Sequence, residues 1–323
     1  LFIFYLTVNK FHIKKISEID QNKLYKFYQN SFNYKNSDLH IFNWRYRLGF
    51  RNFEPLVLEI DDEICGHAGL IANDFKIKDE IKTGIWFTDF YINKNYRSLG
   101  YGKLLTQAWM KICPIQVTIC NETSLKIFKK LSWSYNNRFI RNLKISNYFS
   151  LIPTFKKSDL INITTINSKD LMLREIDNQT ISILARESEN FLSKKSFAIV
   201  RDENWFKWRI LDCPYKKNIF IFNYKGTDII IEVKLKYKFK ILNIIYISKP
   251  IEINFLGLFS KFIKKNNINF ISYISNKKKL LNINLPWSRK LNFAFYSENS
   301  SIKSLIDRDF DDLQYIDSDI DFI

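Results

Sequence analysis

The glycines Gly100 and Gly102 stand in the stretch YINKNYRSLGYGKLL, residues 91–105, and are two of the 8 glycines in a chain of 323 residues. Glycine tolerates positive φ angles and lets another molecule come directly against the backbone. Where such a pair comes just before a helix, the unpaired N–H groups and the positive end of the helix dipole attract an anion. This spacing alone leaves two interpretations: a simple turn at the entry to a helix, which an isolated GxG favours, and a loop that binds phosphate through backbone amides.

The residues on both sides of the glycines predict the elements that would position this loop. The segment GIWFTDFYIN, residues 84–93, is rich in aromatic and β-branched residues and predicts a strand. After the loop, apolar residues recur at helical spacing and predict an amphipathic helix. These residues are Leu104, Leu105, Ala108 and Ile112.

The motif RxxGxG, formed by Arg97, Gly100 and Gly102, resembles the pyrophosphate loop of the GNAT superfamily of N-acetyltransferases. A Rossmann loop would need a third glycine, and a P-loop would need Gly-Lys followed by Ser or Thr; neither pattern is present. The resemblance runs from about Lys14 to Leu143. It includes the hairpin PLVLEIDDEICGHAGLI and the strand-helix segment VTICNETSLKIFKKLSW.

This resemblance implies a site for acetyl-coenzyme A or another acyl-coenzyme A. Backbone amides from Arg97 to Gly102, with the helix N-terminus at Lys103, would hold the pyrophosphate. A gap between the strands Ile85 to Ile92 and Ile115 to Cys120 would admit the cofactor. The residues implied in cofactor binding are Phe90, Tyr91, Ile92, Arg97, Ser98, Leu99, Gly100, Tyr101, Gly102, Lys103 and Asn121.

The chemistry implied is direct attack of an amine on a thioester, for which the protein supplies proximity, a base and hydrogen bonds to the developing oxyanion. Asp89, on the strand before the loop, is the carboxylate best placed to act as the base. Alternation along a strand puts Asp89 and Tyr91 on one face and Phe90 on the other. The alternative for Asp89 is a strand-end carboxylate that pairs with Lys or Arg.

Other reactive side chains are weaker candidates. Many family members carry a Tyr as general acid at the position of Phe128, which has no hydroxyl. His67 lies between Gly66 and Ala68 and is interpreted as a packed strand residue. Cys120 has no neighbouring activator in the sequence and is interpreted as a small buried residue. Trp44-Arg45 and Trp208-Arg209 are interpreted as braces between helix and sheet, and the alternative is that they shape an acceptor cleft.

Composition narrows the class of protein. The net charge is +17, but the excess is mostly Lys dispersed among Asn and Ile, with no arginine-rich arm or nucleic-acid motif. We therefore expect no nucleic-acid partner. The 4 cysteines form no CxxC pair, which favours a cytoplasmic setting without a zinc site or a disulfide framework. The apolar opening LFIFYL is too short for a membrane span and is interpreted as a buried strand.

Four sequence pairs repeat in the same order along the chain and predict a duplication. They are SEID and REID, the WR dipeptides at Trp44 and Trp208, the turns at Asp61 and Lys225, and strands ending at Asn121 and Asn276. The predicted fold class is α+β, with two GNAT-like domains, each a mixed, mostly antiparallel sheet flanked by helices. The predicted ranges are residues 1–150, a degenerate copy at 151–305, and an acidic tail at 306–323.

The second copy lacks the glycine loop. Its corresponding segment, IEINFLGLFSKFIKK, has a single glycine, Gly257, within a helical pattern. We expect this copy to bind no coenzyme A. A separate hypothesis is that the acidic tail docks on a basic face of this copy, which predicts a salt-dependent change in the protease sensitivity of the tail.

The leading interpretation is an acyl-coenzyme A-dependent N-acyltransferase that acts on a small amine such as an amino sugar or amino acid. The alternatives are a Fem-type transferase that uses aminoacyl-tRNA, and a non-catalytic coenzyme A sensor or scaffold. The sequence does not indicate the acceptor, the acyl chain length or the oligomeric state.

Overall fold

The computed structural model describes residues 10–32, 39–146, 163, 171–236, 239–249, 254–276, 288–314 and 317. The opening LFIFYL and the predicted domain boundary at residue 150 lie outside these residues, so both stay predictions. In the part of the chain that is described, no helix is long and apolar enough to cross a membrane.

The helices are α1 (Gln21–Phe32), α2 (Leu39–Arg45), α3 (Tyr101–Met110), α4 (Glu122–Lys130), α5 (Asn178–Leu192), α6 (Glu203–Phe206), α7 (Phe255–Leu258), α8 (Ser260–Asn266) and α9 (Ser300–Asp309). The strands are β1 (Phe11–Lys15), β2 (Leu56–Ile60), β3 (Glu63–Ile77), β4 (Glu80–Ile92), β5 (Ile115–Cys120), β6 (Ser134–Asn136), β7 (Phe139–Ile145), β8 (Leu171–Arg174), β9 (Phe197–Ile199), β10 (Ile219–Tyr224), β11 (Thr227–Lys236), β12 (Phe239–Ile247), β13 (Phe270–Asn276), β14 (Arg289–Lys290) and β15 (Asn292–Ser297).

These strands form two mixed sheets. The first has the order β1-β2-β3-β4-β5-β15-β6, with β9 paired to β3, and the second has the order β14-β7-β13-β12-β11-β10-β8. Most pairs are antiparallel, but β4 and β5 are parallel, as are β12 and β13. A parallel pair needs a crossover connection, and helical segments lie between the strands of each parallel pair. The predicted fold class is confirmed.

The chain divides into two compact units that interleave along the sequence. One comprises Leu1–Asn73, Thr83–Thr118 and Tyr296–Asn299; the other comprises Asp74–Lys82, Ile119–Phe295 and Ser300–Ile323. Within the second unit, β7 pairs with β13, whereas β15 pairs with β6. Strands late in the sequence thus share sheets with strands from the first half.

The repeated sequence pairs form repeated local structures. Asp20 and Asp177 each accept a hydrogen bond from the amide three residues later, which caps α1 and α5. The hairpins β2–β3 and β10–β11 turn through residues with positive φ, which suits two-residue turns between antiparallel strands. These residues are Asp61, Asp62, Lys225 and Gly226. Both WR dipeptides are buried.

One face of the second sheet forms a continuous apolar core. Alternate residues of β11, namely Ile229, Ile231 and Val233, pack in the same cluster as Phe259 and Phe262. This alternation is the strand period of two, with the other face of β11 left to residues such as Asp228 and Glu232.

The acidic C-terminal segment docks within its own unit. Arg201, which is 2% exposed, donates to both carboxylate oxygens of Asp317 at 2.7 and 2.6 Å and to Asp312 at 2.8 Å. Lys195 pairs with Asp311 at 2.7 Å. Among the described residues, acidic side chains of this segment therefore lie against basic side chains of the same unit. Residue 306, the predicted start of the tail, lies inside α9.

Because the Arg201–Asp317 pair is buried, salt screens it weakly, contrary to the salt-dependent docking expected from the sequence. Asp317→Asn should lower the free energy of unfolding by about 3 kcal/mol, since it leaves part of a buried guanidinium without its charge partner. Asp307→Asn, at a carboxylate that is 60% exposed, is the matched control and should change it by less than about 1 kcal/mol. Urea unfolding measures both changes. Tail proteolysis that rises in 1 M salt for the wild-type chain would contradict the interpretation.

Candidate functional site

The strands β4 and β5 begin as a parallel pair and then separate. Their register joins Ile85 to Gln116 and Trp86 to Val117, and β4 runs on to Ile92. Just past the last pair, the Thr118 hydroxyl donates to the Phe87 carbonyl at 2.7 Å. A side chain thus provides a contact just past the last backbone pair, and β4 runs on from there to Ile92.

A left-handed residue interrupts β4 directly after this point. Asp89 has φ of +47°, a conformation in which Asp is one of the better tolerated non-glycine residues. Its Oδ2 lies 2.8 Å from Arg45 Nη2 and accepts from the Tyr46 hydroxyl at 2.8 Å. Its Oδ1 accepts from Arg45 Nη2 at 3.1 Å. The end of α2 thus holds the carboxylate at the kink.

His67 holds the backbone of the same residue. Its Nδ1 lies 2.9 Å from the Asp89 carbonyl oxygen, and its Nε2 lies 3.0 Å from the Tyr28 hydroxyl. The imidazole is fully buried, and this burial lowers its pKa to about 4, with a smaller lowering by Arg45. The interpretation of His67 as a packed strand residue agrees with its burial, but its contact with Asp89 was not anticipated.

The two faces of β4 separate the predicted site residues. The Tyr91 ring packs against Phe27 and Phe32, the aromatic side chains that also surround His67. The Asp89 side chain lies on the same side of the sheet, because it accepts a hydrogen bond from Tyr46, whose ring centroid lies 5.7 Å from that of His67. Phe90 points the other way, toward Phe87, and is 38% exposed. Asp89 and Tyr91 therefore share a face opposite Phe90, as alternation predicts.

The loop after β4 is built around the predicted glycines. The Arg97 side chain donates through Nε to the Ile92 carbonyl at 2.9 Å, which ties the loop to the strand end. Ser98 and Gly100 both have positive φ, of 66° and 89°, and α3 begins directly afterwards. Among the described residues, no acceptor is bonded to the backbone amides of residues 98–102. These amides can therefore serve an anion.

The surroundings of the two glycines fit a group that comes against bare backbone. A Cβ added to Gly100 would have no heavy atom within 4 Å, so the space beside it is open. A Cβ on Gly102 would meet only Ile92 at 3.6 Å and Phe90 at 3.9 Å, which are ordinary contacts. Protein packing does not require glycine at position 102. A pyrophosphate against the loop fits this arrangement.

The predicted residues around the loop differ in exposure. Leu99 is 65% exposed and Lys103 is exposed, whereas Ile92 is buried and the Tyr101 ring touches Phe11 and Tyr96. The predicted apolar face of α3 is partly wrong. Leu105 and Trp109 are buried, but Leu104 is 37% exposed because Trp109, stacked on Phe87 at 4.0 Å, occupies the sheet-facing side.

Three further residues weighed from the sequence lie in the second compact unit. The Asn121 side chain caps α4 by accepting from the Ser124 amide at 2.8 Å, which leaves its amide nitrogen as a donor. Phe128 is buried against Trp133, with ring centroids 4.5 Å apart. Burial raises the pKa of Cys120 to about 12, so its thiol stays protonated near neutral pH and is no nucleophile.

The alternative interpretation of Asp89, a strand-end carboxylate that pairs with Lys or Arg, agrees with the structure, where Arg45 is its partner. The sequence did not identify which arginine this would be. Arg45 was interpreted as a brace between helix and sheet, and it is one, but its guanidinium ends on the predicted base. Neither Tyr46 nor Thr118 is identified from the sequence as part of the site. The one available signal was the WRY triplet at the end of α2, since an arginine buried at a helix end needs an acidic partner.

Comparison with known proteins agrees with this geometry. Residues 21–132 match the model of the acetyltransferase (GNAT) family. This part of the chain is similar to GNAT acetyltransferase domains, as the RxxGxG motif implied. A search of curated proteins finds no match.

Solved structures share the fold over most of the chain. A GCN5-related N-acetyltransferase from Kribbella flavida superposes with a TM-score of 0.56 and 10% identity, covering 89% of this chain and 71% of that one. One from Anabaena variabilis has a TM-score of 0.55 and 14% identity, covering 92% and 74%. Saccharomyces cerevisiae N-myristoyltransferase with bound myristoyl-CoA has a TM-score of 0.56 and 11% identity, covering 89% and 79%. At these identities the likeness concerns the fold.

Burial of neutral His67 makes stability depend on pH. The unfolded chain takes up this proton near the ordinary pKa of 6.5 and the folded chain only near 4, so the stabilisation is complete above 6.5 and is lost as pH falls toward 4. Between about pH 4 and 6.5, the contribution of His67 to the free energy of unfolding should rise by up to about 1.4 kcal/mol per pH unit. The charged and titratable groups near the ring are Arg45, Asp89, Tyr28 and Tyr46.

Urea unfolding at pH 7, 5.5 and 4.5 checks this slope in the wild-type chain, in His67→Asn and in His12→Asn, a change at an exposed histidine. His67→Asn should flatten the slope and His12→Asn should not. Equal slopes in all three chains would show that His67 does not cause the pH dependence of the free energy of unfolding.

Proposed function

We propose that this protein is an acyl-coenzyme A-dependent N-acyltransferase, with acetyl as the acyl group and the amine of a small molecule, such as an amino sugar or amino acid, as the acceptor. The observation that carries the proposal is the open space at Gly100, beside backbone amides at the start of α3, directly after the part of β4 that runs on beyond its last pair with β5. The GNAT match over residues 21–132 supports it, and the acetyltransferase description of that family supports acetyl.

In this proposal the loop and the strand hold different parts of the cofactor. Amides of residues 98–102 and the N-terminus of α3 bind the pyrophosphate, while Arg97 and Ile92 fix the start of the loop. The edge of β4 through Phe90 and Tyr91 aligns the pantetheine and acyl end. When bound, acyl-coenzyme A supplies an activated thioester. The contact of Asn121 with the pantetheine that the resemblance implies stays a prediction, and the capping of α4 leaves its amide nitrogen as a donor.

The protein's chemical task is then small. An amine nitrogen bonds to the acyl carbon, the carbon–sulfur bond breaks, the nitrogen loses a proton and the coenzyme A thiol is released. We propose Asp89 as the base, directly or through water. Its Oδ1 accepts one hydrogen bond among the described residues, which leaves a second lone pair. Arg45 and Tyr46 fix its position.

We further propose that the chain contains two copies of one unit and that the second binds no coenzyme A. The repeated caps, hairpins and parallel strand pairs support the duplication. In the second copy Gly257 lies within α7, where its amide is bonded to the Asn254 side chain at 3.3 Å. Residues 251–253 lie outside the described part of the chain.

Thiol release from acetyl-coenzyme A, measured with a panel of amines, tests the function. Turnover with an amine is expected, and Asp89→Asn should lower it most at low pH, where more of the amine is protonated. A rate for Asp89→Asn that equals wild type at every pH would remove Asp89 from the mechanism. Binding without turnover of any amine would favour a sensor, and protection by aminoacyl-tRNA but not by coenzyme A would favour a Fem-type transferase.

The glycines give a sharper test of cofactor binding. Gly102→Ala should raise the melting temperature, because alanine is favoured over glycine by about 1 kcal/mol within a helix, yet it should weaken coenzyme A binding by placing a methyl group against the pyrophosphate. Gly100→Ala should weaken binding as well as stability, since φ there is +89°. Isothermal titration and thermal unfolding provide the two readouts.

The matched control is Gly226→Ala. Gly226 has φ of +75° and no heavy atom within 4 Å of an added Cβ, so it carries the same backbone strain as Gly100 away from the loop. It should lose stability while keeping coenzyme A affinity. Full affinity in both Gly100→Ala and Gly102→Ala would overturn the assignment of the loop.

A further inference from the structure

We propose that His67 is a positioning residue that directs the backbone N–H of Phe90 toward the edge of β4 where the thioester carbonyl would lie. This inference rests on the proposed function and assigns to a buried side chain a role in the reaction. Three observations carry it: the bond of His67 to the Asp89 carbonyl, the positive φ of Asp89, and the early end of the β4–β5 pairing.

The network fixes which nitrogen of His67 carries the proton. A carbonyl oxygen only accepts, so Nδ1, 2.9 Å from the Asp89 oxygen, must be the N–H donor. In the neutral imidazole, Nε2 is then the acceptor, and the Tyr28 hydroxyl donates to it across 3.0 Å. The lowered pKa, about 4, keeps the ring neutral at physiological pH and therefore keeps this arrangement of donors.

The planarity of the peptide bond transmits this contact to the next residue. The carbonyl of Asp89 and the N–H of Phe90 belong to one trans peptide unit and point in opposite directions. His67 holds the carbonyl of this peptide unit. The Asn93 amide donates to the Cys65 carbonyl of β3 at 2.7 Å, and backbone amides alternate along a strand, so the Phe90 N–H faces away from β3. That direction is toward the side on which β5 pairs with β4 only as far as Trp86.

The side-chain contacts of Asp89 secure the same unit from a second direction. Arg45 and Tyr46 hold the carboxylate while His67 holds the carbonyl, so the left-handed residue is fixed at two points. A kinked backbone of this kind costs about 1–3 kcal/mol and persists only where its surroundings determine it. His67 is the member of this set that touches the peptide unit itself.

A backbone donor aimed at a developing oxyanion accelerates acyl transfer only when it is held in place. Removing a single such donor costs about 10²–10³ in kcat, so loosening one should cost about 10- to 100-fold. The expected signature is a loss in kcat with little change in the dissociation constant of coenzyme A, because the pyrophosphate loop is untouched.

The test compares His67→Asn with His67→Gln in the full chain. The Asn side-chain nitrogen lies near the position of Nδ1 and can still donate to the Asp89 carbonyl, whereas the Gln nitrogen lies near the position of Nε2 and cannot. His67→Gln should lower kcat about 10- to 100-fold, and His67→Asn should recover most of that loss. Both variants should bind coenzyme A as the wild-type chain does.

A spectroscopic readout separates positioning from general stability. The carbonyl stretch of bound acetyl-coenzyme A labelled with ¹³C at the carbonyl should lie at lower frequency in the wild-type chain and in His67→Asn than in His67→Gln, since a donor polarises the carbonyl. If His67→Gln does not fold, Tyr28→Phe provides the second variant: it removes the partner of Nε2, and it should give a smaller loss in kcat and a smaller shift of this band.

The outcomes are distinct. A wild-type chain that neither binds nor turns over acetyl-coenzyme A would overturn the proposed function and this inference together. A wild-type chain with turnover, alongside a His67→Gln variant with equal kcat and an unchanged carbonyl band, would overturn the role of His67 alone. A His67→Asn variant as impaired as His67→Gln would also overturn it, because the loss would then not depend on the donor.

Discussion

The left-handed backbone at Asp89 is the constraint around which the candidate site is arranged. It lies between the last β4–β5 pair and the glycine loop, so it decides where β4 goes after it leaves β5. A strand that stayed extended would keep pairing and close the edge that a ligand needs. The contacts of Asp89 with His67, Arg45 and Tyr46 stabilise the conformation in which β4 turns away from β5.

These contacts require burial of polar groups, which is costly unless each is satisfied. Arg45, at 4% exposure, is acceptable there because Asp89 neutralises it, and His67 is acceptable because it is neutral and bonded through both ring nitrogens. The aromatic rings around His67 exclude water from these bonds, which strengthens them. Stability and site geometry therefore depend on the same side chains, and a change to one affects both.

Local patterns predicted much of the fold. The turn residues at Asp61 and Lys225 predicted the two hairpins, and the RxxGxG motif predicted the loop and the start of α3. Contacts between residues that are distant in the sequence could not be predicted from these local patterns. The residues of β7 and β15 do not indicate that each strand pairs with a strand more than a hundred residues away, because strand propensity does not depend on which strand is the partner. Likewise, Asp89 could be recognised as a carboxylate at a strand end, but its arginine partner lies 44 residues earlier.

In the second sheet, the parallel pairing of β12 with β13 also stops before the two strands end. Its pairs between β12 and β13 run from Ile241 to Ile244, and the extra residue Ile245 makes an irregularity in β12, as Asp89 does in β4. Past that point the Gln314 side chain bonds both the amide and the carbonyl of Ile247, at 2.6 and 3.2 Å. Asn276, at the end of β13, donates to the Asp311 carbonyl at 3.3 Å. The C-terminal segment therefore joins the two strand ends and satisfies backbone groups there. Because side chains of this chain bond the backbone groups at these strand ends, no ligand-binding glycine loop is needed there. The glycine of α7 lies inside a helical turn and forms no such loop.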